Sequence, residues 1–472
     1  MTRTQAIAAA HHHFDTGAFQ SDLARRVGFK TESQNAERAD ELVRYLETEM
    51  RPALETLGFT CRLLHEPSAN APFLLAERIE DTSLPTVLGY GHGDVIRGQE
   101  GQWAEGLSPW SLIERDGRWY GRGSADNKGQ HSVNIAALAA VLATRGKLGF
   151  NAKYLIEMGE EMGSPGLRAL AAREKAAFAA DILIGSDGPR LSADRANLYL
   201  GTRGAALIDL SVDARQGGHH SGNFGGLLSN PGIELAHALA SIVGPTGQIR
   251  IADWVPTSIP PSVRKALAGV EPVSGDKGPL LEPWWGEPGL TMAEKVFGWS
   301  SFEMLAFTCG NPAEPVNAIP PRAWARCQLR FTVDIDPDNI LPALRRHLDR
   351  HGFQRVTLTL GRDDSFKATR LDPEHPWAQW AADSLAATLG YRPVILPNLG
   401  GSLPNDVFSE ILDLPTVWVP HSYPACSQHA PNEHVLAQVM REGLGAMAGL
   451  YWDLGQSGAA TLAAARTWKA RA

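Results

Sequence analysis

Cysteine is scarce in this chain: four residues in 472, at Cys61, Cys309, Cys327 and Cys426, with no CxxC pair among them. That spacing excludes a zinc ribbon and a disulfide-built scaffold, and fits a reduced, cytoplasmic setting. Long apolar runs are also missing. None approaches the roughly 18 residues that a membrane span needs, and the first residues hold no apolar core long enough for a signal peptide. Clustered Lys and Arg are absent and the net charge is −8, so nucleic acid is not an expected partner. No internal repeat and no low-complexity tract is visible. What is present is ordinary in amount: 43% apolar and 20% charged residues, the balance of a soluble globular enzyme. At this length two structural units are expected rather than one core. The run His11-His12-His13 sits in a helical N-terminal segment and reads as solvated surface.

Periodicity places the elements. Leu42, Leu46, Met50, Leu54 and Leu57 recur at spacings of three and four and predict an amphipathic helix within 34–58. Buried strands are expected over 86–90, 153–157, 181–185 and 415–419, and a helix over 127–146. Ser164 is expected to cap the helix that follows it. Strands alternating with helices argue for an α/β unit with a mostly parallel central sheet flanked by helices. The middle of the chain differs. Residues 205–212 and 325–333 alternate like half-buried antiparallel strands, and 234–243 and 338–351 are helical. This predicts a smaller α+β two-layer unit, 204–370, inserted into a discontinuous unit formed by 1–203 and 371–472. Residues 252–300, rich in Pro, Gly and Trp, read as a long excursion of that insert.

Chemistry concentrates in short turns after apolar runs: Gly91-His92-Gly93-Asp94, Gly123-Ser-Ala-Asp126-Asn127-Lys128-Gly129, Gly159-Glu160-Glu161-Met162-Gly163, Ser186-Asp187-Gly188 and His429-Ala-Pro-Asn432-Glu433. Singly each has an ordinary reading. Asp126 alone suits a helix N-cap, and Asp187-Gly suits a turn. Jointly they answer the needs of two divalent ions about 3.5 Å apart: a carboxylate to bridge, and an imidazole and another carboxylate for each ion. His92, Asp126, Glu161, Asp187 and His429 supply that count. Asp94 is placed to accept from the His92 ring and fix its tautomer. Of the adjacent Glu160 and Glu161, one can bind metal while the other serves a bridging water as general base. In open α/β sheets, sites form beyond the carboxyl ends of the strands, so the sheet and the ligand set agree.

With these motifs in order, the chain resembles, from about residue 20 to residue 450, the zinc-dependent aminoacylase, carnosinase and glutamate-carboxypeptidase family of metallopeptidases. Gly121-Arg-Gly-Ser-Ala-Asp-Asn-Lys-Gly129, Gly201-Thr-Arg-Gly204 and His220-Ser-Gly-Asn-Phe-Gly-Gly226 look most like its dipeptidase branch. The resemblance implies a di-metal hydrolase of amide or peptide bonds, with Zn2+ as the metal and Mn2+ or Co2+ as alternatives. Asp126 would bridge, His92 and Asp187 would complete one site, and Glu161 and His429 the other. Glu160 would be the base, and the Asp126–Asn127 bond would be cis. His220 would reach across a homodimer interface to the partner's oxyanion. Asn317 and Arg330 would bind substrate, Arg330 at a free carboxylate, and Gly400, Gly401 and Ser402 would line the pocket. The implied substrate is a dipeptide or small amide bearing a carboxylate. N-acyl amino acids are the alternative, and a catalytically silent binding protein is the remote one. Where the family often has an acidic residue before Gly-Gly-Ser, this chain has Leu399, a departure that bears on substrate identity.

Overall fold

The protein is described here by a computed structural model covering residues 1–67, 69, 71–272, 279–361 and 366–470. Its largest element is an eight-stranded sheet. The strands lie in the order Thr60–Leu64, Phe73–Arg78, Asn151–Glu157, Thr86–His92, Ile182–Gly185, Thr416–Trp418, Asn197–Tyr199, Val394–Leu396. The four strands from Asn151–Glu157 to Thr416–Trp418 run parallel; Phe73–Arg78 and Thr60–Leu64 add antiparallel on one flank, and on the other Asn197–Tyr199 joins antiparallel and pairs in parallel with Val394–Leu396. Buried on both faces, these strands are apolar almost throughout. Val87, Ile182 and Ile156 point to one layer of helices, whereas Leu88, Leu183 and Leu155 point to the other. The first layer holds Arg3–Asp15, Lys128–Arg145, Pro376–Leu389 and the 33-residue helix Ala437–Lys469.

A second sheet is wholly antiparallel, in the order Ser301–Cys309, Arg322–Phe331, Gly204–Asp213, Thr357–Leu360. Helices Pro231–Ile242 and Ile340–Arg350 cover one of its faces around a separate apolar core that includes Ile208, Leu239, Trp254 and Leu344. This is the expected two-layer α+β arrangement, interrupting the chain between strands of the large sheet. Among the described residues, no helix is long and apolar enough to cross a membrane.

Several local expectations need correction. Ser164 does not cap a helix. It has φ +52°, its hydroxyl donates to Glu157, and the next helix begins at Leu167 behind a left-handed Gly166. The histidine triplet is not simply solvated: His13 lies 3.1 Å from Asp22, and His11 packs on Gly445, leaving only His12 exposed. The excursion over 252–300 (273–278 lie outside the described residues) does not stay with the small sheet. Ile259, Val263, Leu267, Ala293 and Phe297 join the apolar layer under Leu88, Tyr90 and Trp418 of the large sheet.

Candidate metal centre

Three of the candidate loops leave the carboxyl ends of adjacent parallel strands: His92 ends one, Glu160 and Glu161 follow Glu157, and Asp187 follows Gly185. Asp126 arrives differently. It follows the short strand Arg118–Tyr120, which pairs not with the large sheet but with His434–Leu436. That pairing carries the chain's late residues to Asp126.

The donors converge. His92 Nε2 is 3.0 Å from Asp126 Oδ1 and 3.7 Å from Asp187 Oδ2. His429 Nε2 is 3.0 Å from both Asp126 Oδ2 and Glu161 Oε2. Two triads result, His92–Asp126–Asp187 and Asp126–Glu161–His429, sharing Asp126, each with donor atoms within 4.8 Å of one another. Asp126 offers one oxygen to each triad. Glu160 belongs to neither, with its Oε2 4.0 Å from His92 Nε2. The Asp126–Asn127 peptide is cis.

Charge is crowded here. Burial, then the neighbouring Asp126 charge, pushes Glu161 up to about 7 and Asp187 up to about 6. Burial, with Asp187 and Glu161 beside it, pushes Glu160 well above the carboxylate range although His92 pulls it down. Burial alone would lower His92, but its bonds to Asp126 and Asp94 outweigh that and raise it well above the imidazole range. His429 is raised to about 11 by Asp126 and Glu161. Asp126 itself, despite its burial, is held low by the two histidines. Four carboxylates close together in a buried place repel one another, and divalent cations would relieve that repulsion. The donor chemistry suits borderline divalent ions, two imidazoles with carboxylate oxygens. Asp187 Oδ2, buried and without any hydrogen-bond partner, fits a ligand role in particular.

The supports explain the geometry. The Asp94 carboxylate accepts from the backbone N–H groups of Glu160 and Glu161 at 3.2 and 3.1 Å, so it sets the Glu loop. The nearest partner of His92 Nδ1 is the Asp94 carbonyl, at 3.1 Å, with the carboxylate at 3.4 Å. Two supports were not foreseen from sequence. Glu433, fully buried, accepts from the N–H groups of Gly123, Ala125 and Asp126 and from Arg122 Nη1 at 2.8–3.1 Å. Gln428 Nε2 donates to Asp126 Oδ2. Glu433 lies within a motif already singled out, four residues after His429, but its partners are some 310 positions away.

A cavity of about 380 Å³ opens on the centre. Asp126, Glu160, Asp187 and His429 form one wall, Gly400, Gly401 and Ser402 another, and Leu399, Val296 and Phe297 an apolar third. Arg330 reaches this region by donating to Ser402 Oγ at 2.7 Å. His220 and Asn317 are not at the cavity. They lie together on an exposed edge, where His220 pairs with Ala318 and the Asn317 carbonyl accepts from Ser221 N–H.

Comparison with known proteins gives a consistent result. The sequence signature of peptidase family M20/M25/M40 matches residues 88–453. The chain is 28% identical to the Beta-Ala-His dipeptidase of Mus musculus over 402 residues, which is 77% of this chain and 76% of the relative. It is 26% identical to the Cysteinylglycine-S-conjugate dipeptidase of Corynebacterium striatum over 335 residues, 68% of this chain and 70% of the relative. In fold it is similar to human carnosine dipeptidase 1, with a TM-score of 0.74, 23% identity, and 97% and 99% of the two chains covered.

Proposed function

The chain belongs to peptidase family M20/M25/M40 and is a metal-dependent hydrolase of peptide C–N bonds, and from that premise we propose that it cleaves dipeptides bearing a free carboxylate with two Zn2+ ions held as above. The observation that carries this reading is the pair of triads sharing Asp126, one oxygen to each. Two divalent ions there would supply a water of lowered pKa and a Lewis acid for the scissile carbonyl. His92, Asp126 and Asp187 would hold one ion, and Asp126, Glu161 and His429 the other.

The protein's own groups do the rest. Glu160 stands beside the triads without belonging to either, a position that suits a base taking a proton from water and returning it to the leaving amine. Arg330, with Ser402 and the glycine backbone of 400–401, fixes the carboxylate of the leaving residue. Asn317 adds a substrate contact and His220 stabilises the oxyanion, both from the exposed edge of a second copy. Support for a homodimer comes from the outer strand of the small sheet, Ser301–Cys309, whose outer edge is unpaired among the described residues and whose Met304 and Leu305 are each 55% exposed. On this reading the chain divides into a catalytic unit, 1–203 with 371–472, and an inserted lid and dimerisation unit, 204–370, and works in the cytoplasm.

One observation favours a second substrate class. Among the described cavity residues, the only carboxylates are Asp126, Glu160 and Asp187, and the remaining wall near Leu399 is apolar. A free ammonium on the substrate would find no counter-charge beyond the centre itself, whereas an N-acyl amino acid would not need one. Wild type and Glu160→Gln should be assayed side by side on dipeptides and on N-acyl amino acids, with metal content measured. Glu160→Gln is expected to keep both metals and to lose turnover by at least about a hundredfold; near-normal turnover overturns the base assignment. Faster cleavage of N-acyl amino acids than of every dipeptide replaces the first substrate class with the second.

A further inference from the structure

Packed against the ligand loops, and outside the cavity lining, lies a set of buried polar side chains that the proposed reaction does not use. Tyr45, from the N-terminal helix Ala39–Tyr45, places its hydroxyl 2.8 Å from His131 Nε2. His131 Nδ1 is 3.2 Å from Asn127 Oδ1, and Asn127 Nδ2 donates to the Ser186 carbonyl at 2.8 Å. The direction of this chain is fixed. Asn127 gives its N–H to Ser186, so its oxygen must accept, and His131 Nδ1 therefore carries the hydrogen. Nε2 is then left to accept from Tyr45. Tyr45, His131, Asn127 and Ser186 are each fully buried.

The same two rings also set the His92 turn. A β-carbon at Gly91 would lie 2.5 Å from His131 Cβ and 3.1 Å from Asn127 Oδ1, and one at Gly93 would collide with the Tyr45 ring. So Tyr45 and His131 press directly under Gly91-His92-Gly93. Asn127 adjoins Asp126, and Ser186 adjoins Asp187. One hydrogen-bonded line thus touches all three loops that present His92, Asp126 and Asp187, and touches neither Glu161 nor His429. Burial, then the Arg26 charge, lowers the His131 ring well below the imidazole range, in keeping with this bonding.

We propose that His131 is a positioning residue for the His92–Asp126–Asp187 site, acting through the brace Tyr45–His131–Asn127–Ser186 to fix the three loops at metal-binding separation. The proposal rests on the reading of that triad as metal ligands. It predicts an asymmetry: damage to the brace weakens the His92–Asp126–Asp187 position more than the Asp126–Glu161–His429 position, which shares only Asp126 with it. Partners that orient ligands in this way are worth about 10- to 100-fold in metal affinity.

The test is Zn2+ titration of the full-length protein by calorimetry, with metal counted after dialysis against a chelator, for wild type, His131→Leu, His131→Asn and Tyr45→Phe. Wild type should hold two ions. His131→Leu should hold one tightly and bind the other about 10- to 100-fold more weakly, with kcat reduced and KM little changed. His131→Asn, whose amide can still donate to Asn127, should recover part of the loss, and Tyr45→Phe should shift affinity in the same direction by less. A folded His131→Leu that keeps both ions at wild-type affinity overturns the brace. If that variant fails to fold, wild-type affinity for both ions in His131→Asn and Tyr45→Phe overturns it equally. A wild type that binds no pair of ions overturns instead the ligand reading beneath it.

Discussion

Glu433 commits both carboxylate oxygens to the loop that carries Asp126: one to the N–H groups of Ala125 and Asp126, the other to Gly123 N–H and the Arg122 guanidinium. Both members of the Arg122–Glu433 pair are 1% exposed. Burying two charges is costly, but breaking such a pair costs more, because the survivor is left uncompensated. Glu433→Gln keeps the shape and removes the charge. It should lower stability by about 3–5 kcal/mol, read from the denaturant midpoint, and unchanged stability would show that Arg122 finds another partner. Burial outweighs Arg122 and raises the Glu433 pKa, so the charged form is disfavoured in the fold and part of the cost of Glu433→Gln is offset, pointing to the lower end of that range.

The strand Thr86–His92 and the helix Lys128–Arg145 approach each other unusually closely because Gly91 has no side chain where His131 passes. Gly91→Ala should force the two elements apart or distort the end of the strand, at a cost of about 1–3 kcal/mol, measurable by thermal or denaturant unfolding. A variant as stable as wild type would mean that the helix yields freely. Elements of this kind were legible in the sequence. The runs before His92, Glu160 and Asp187 are short, apolar and bounded by glycine, and each strand formed within a residue or two of its expected ends. The five donors are legible as a set from residue type and order, whereas their division into two triads sharing Asp126 follows only from the family resemblance. What was not legible depends on partners distant in sequence: the Arg122–Glu433 pair, the Tyr45–His131 contact, and the excursion whose Phe297 packs under the large sheet. Ser164 misled because a serine before an apolar helix resembles a cap, whereas its hydroxyl is drawn to the buried Glu157.

At the scale of the whole molecule, the proposed pair of chains completing each other's sites would account for His220 and Asn317 lying outside the cavity lining and for the exposed outer strand of the small sheet. Mixing His220→Ala subunits with Glu160→Gln subunits tests it. Each variant alone should be nearly inactive. After verified exchange at equal amounts, random pairing makes half the dimers mixed, each with one intact site of two, so about a quarter of wild-type activity should return. No recovery would count against shared sites. The long reach between Glu433 and Asp126 has a further consequence, for the order in which the protein is made. Chains are synthesised from the N-terminus and fold as units, and His92, Asp126, Glu161 and Asp187 all leave the ribosome well before the residue that secures the Asp126 loop, 307 positions later. A nascent chain therefore carries four of the five proposed metal ligands without the arrangement that would make them a centre, and that arrangement is complete only when the C-terminal segment returns to close it.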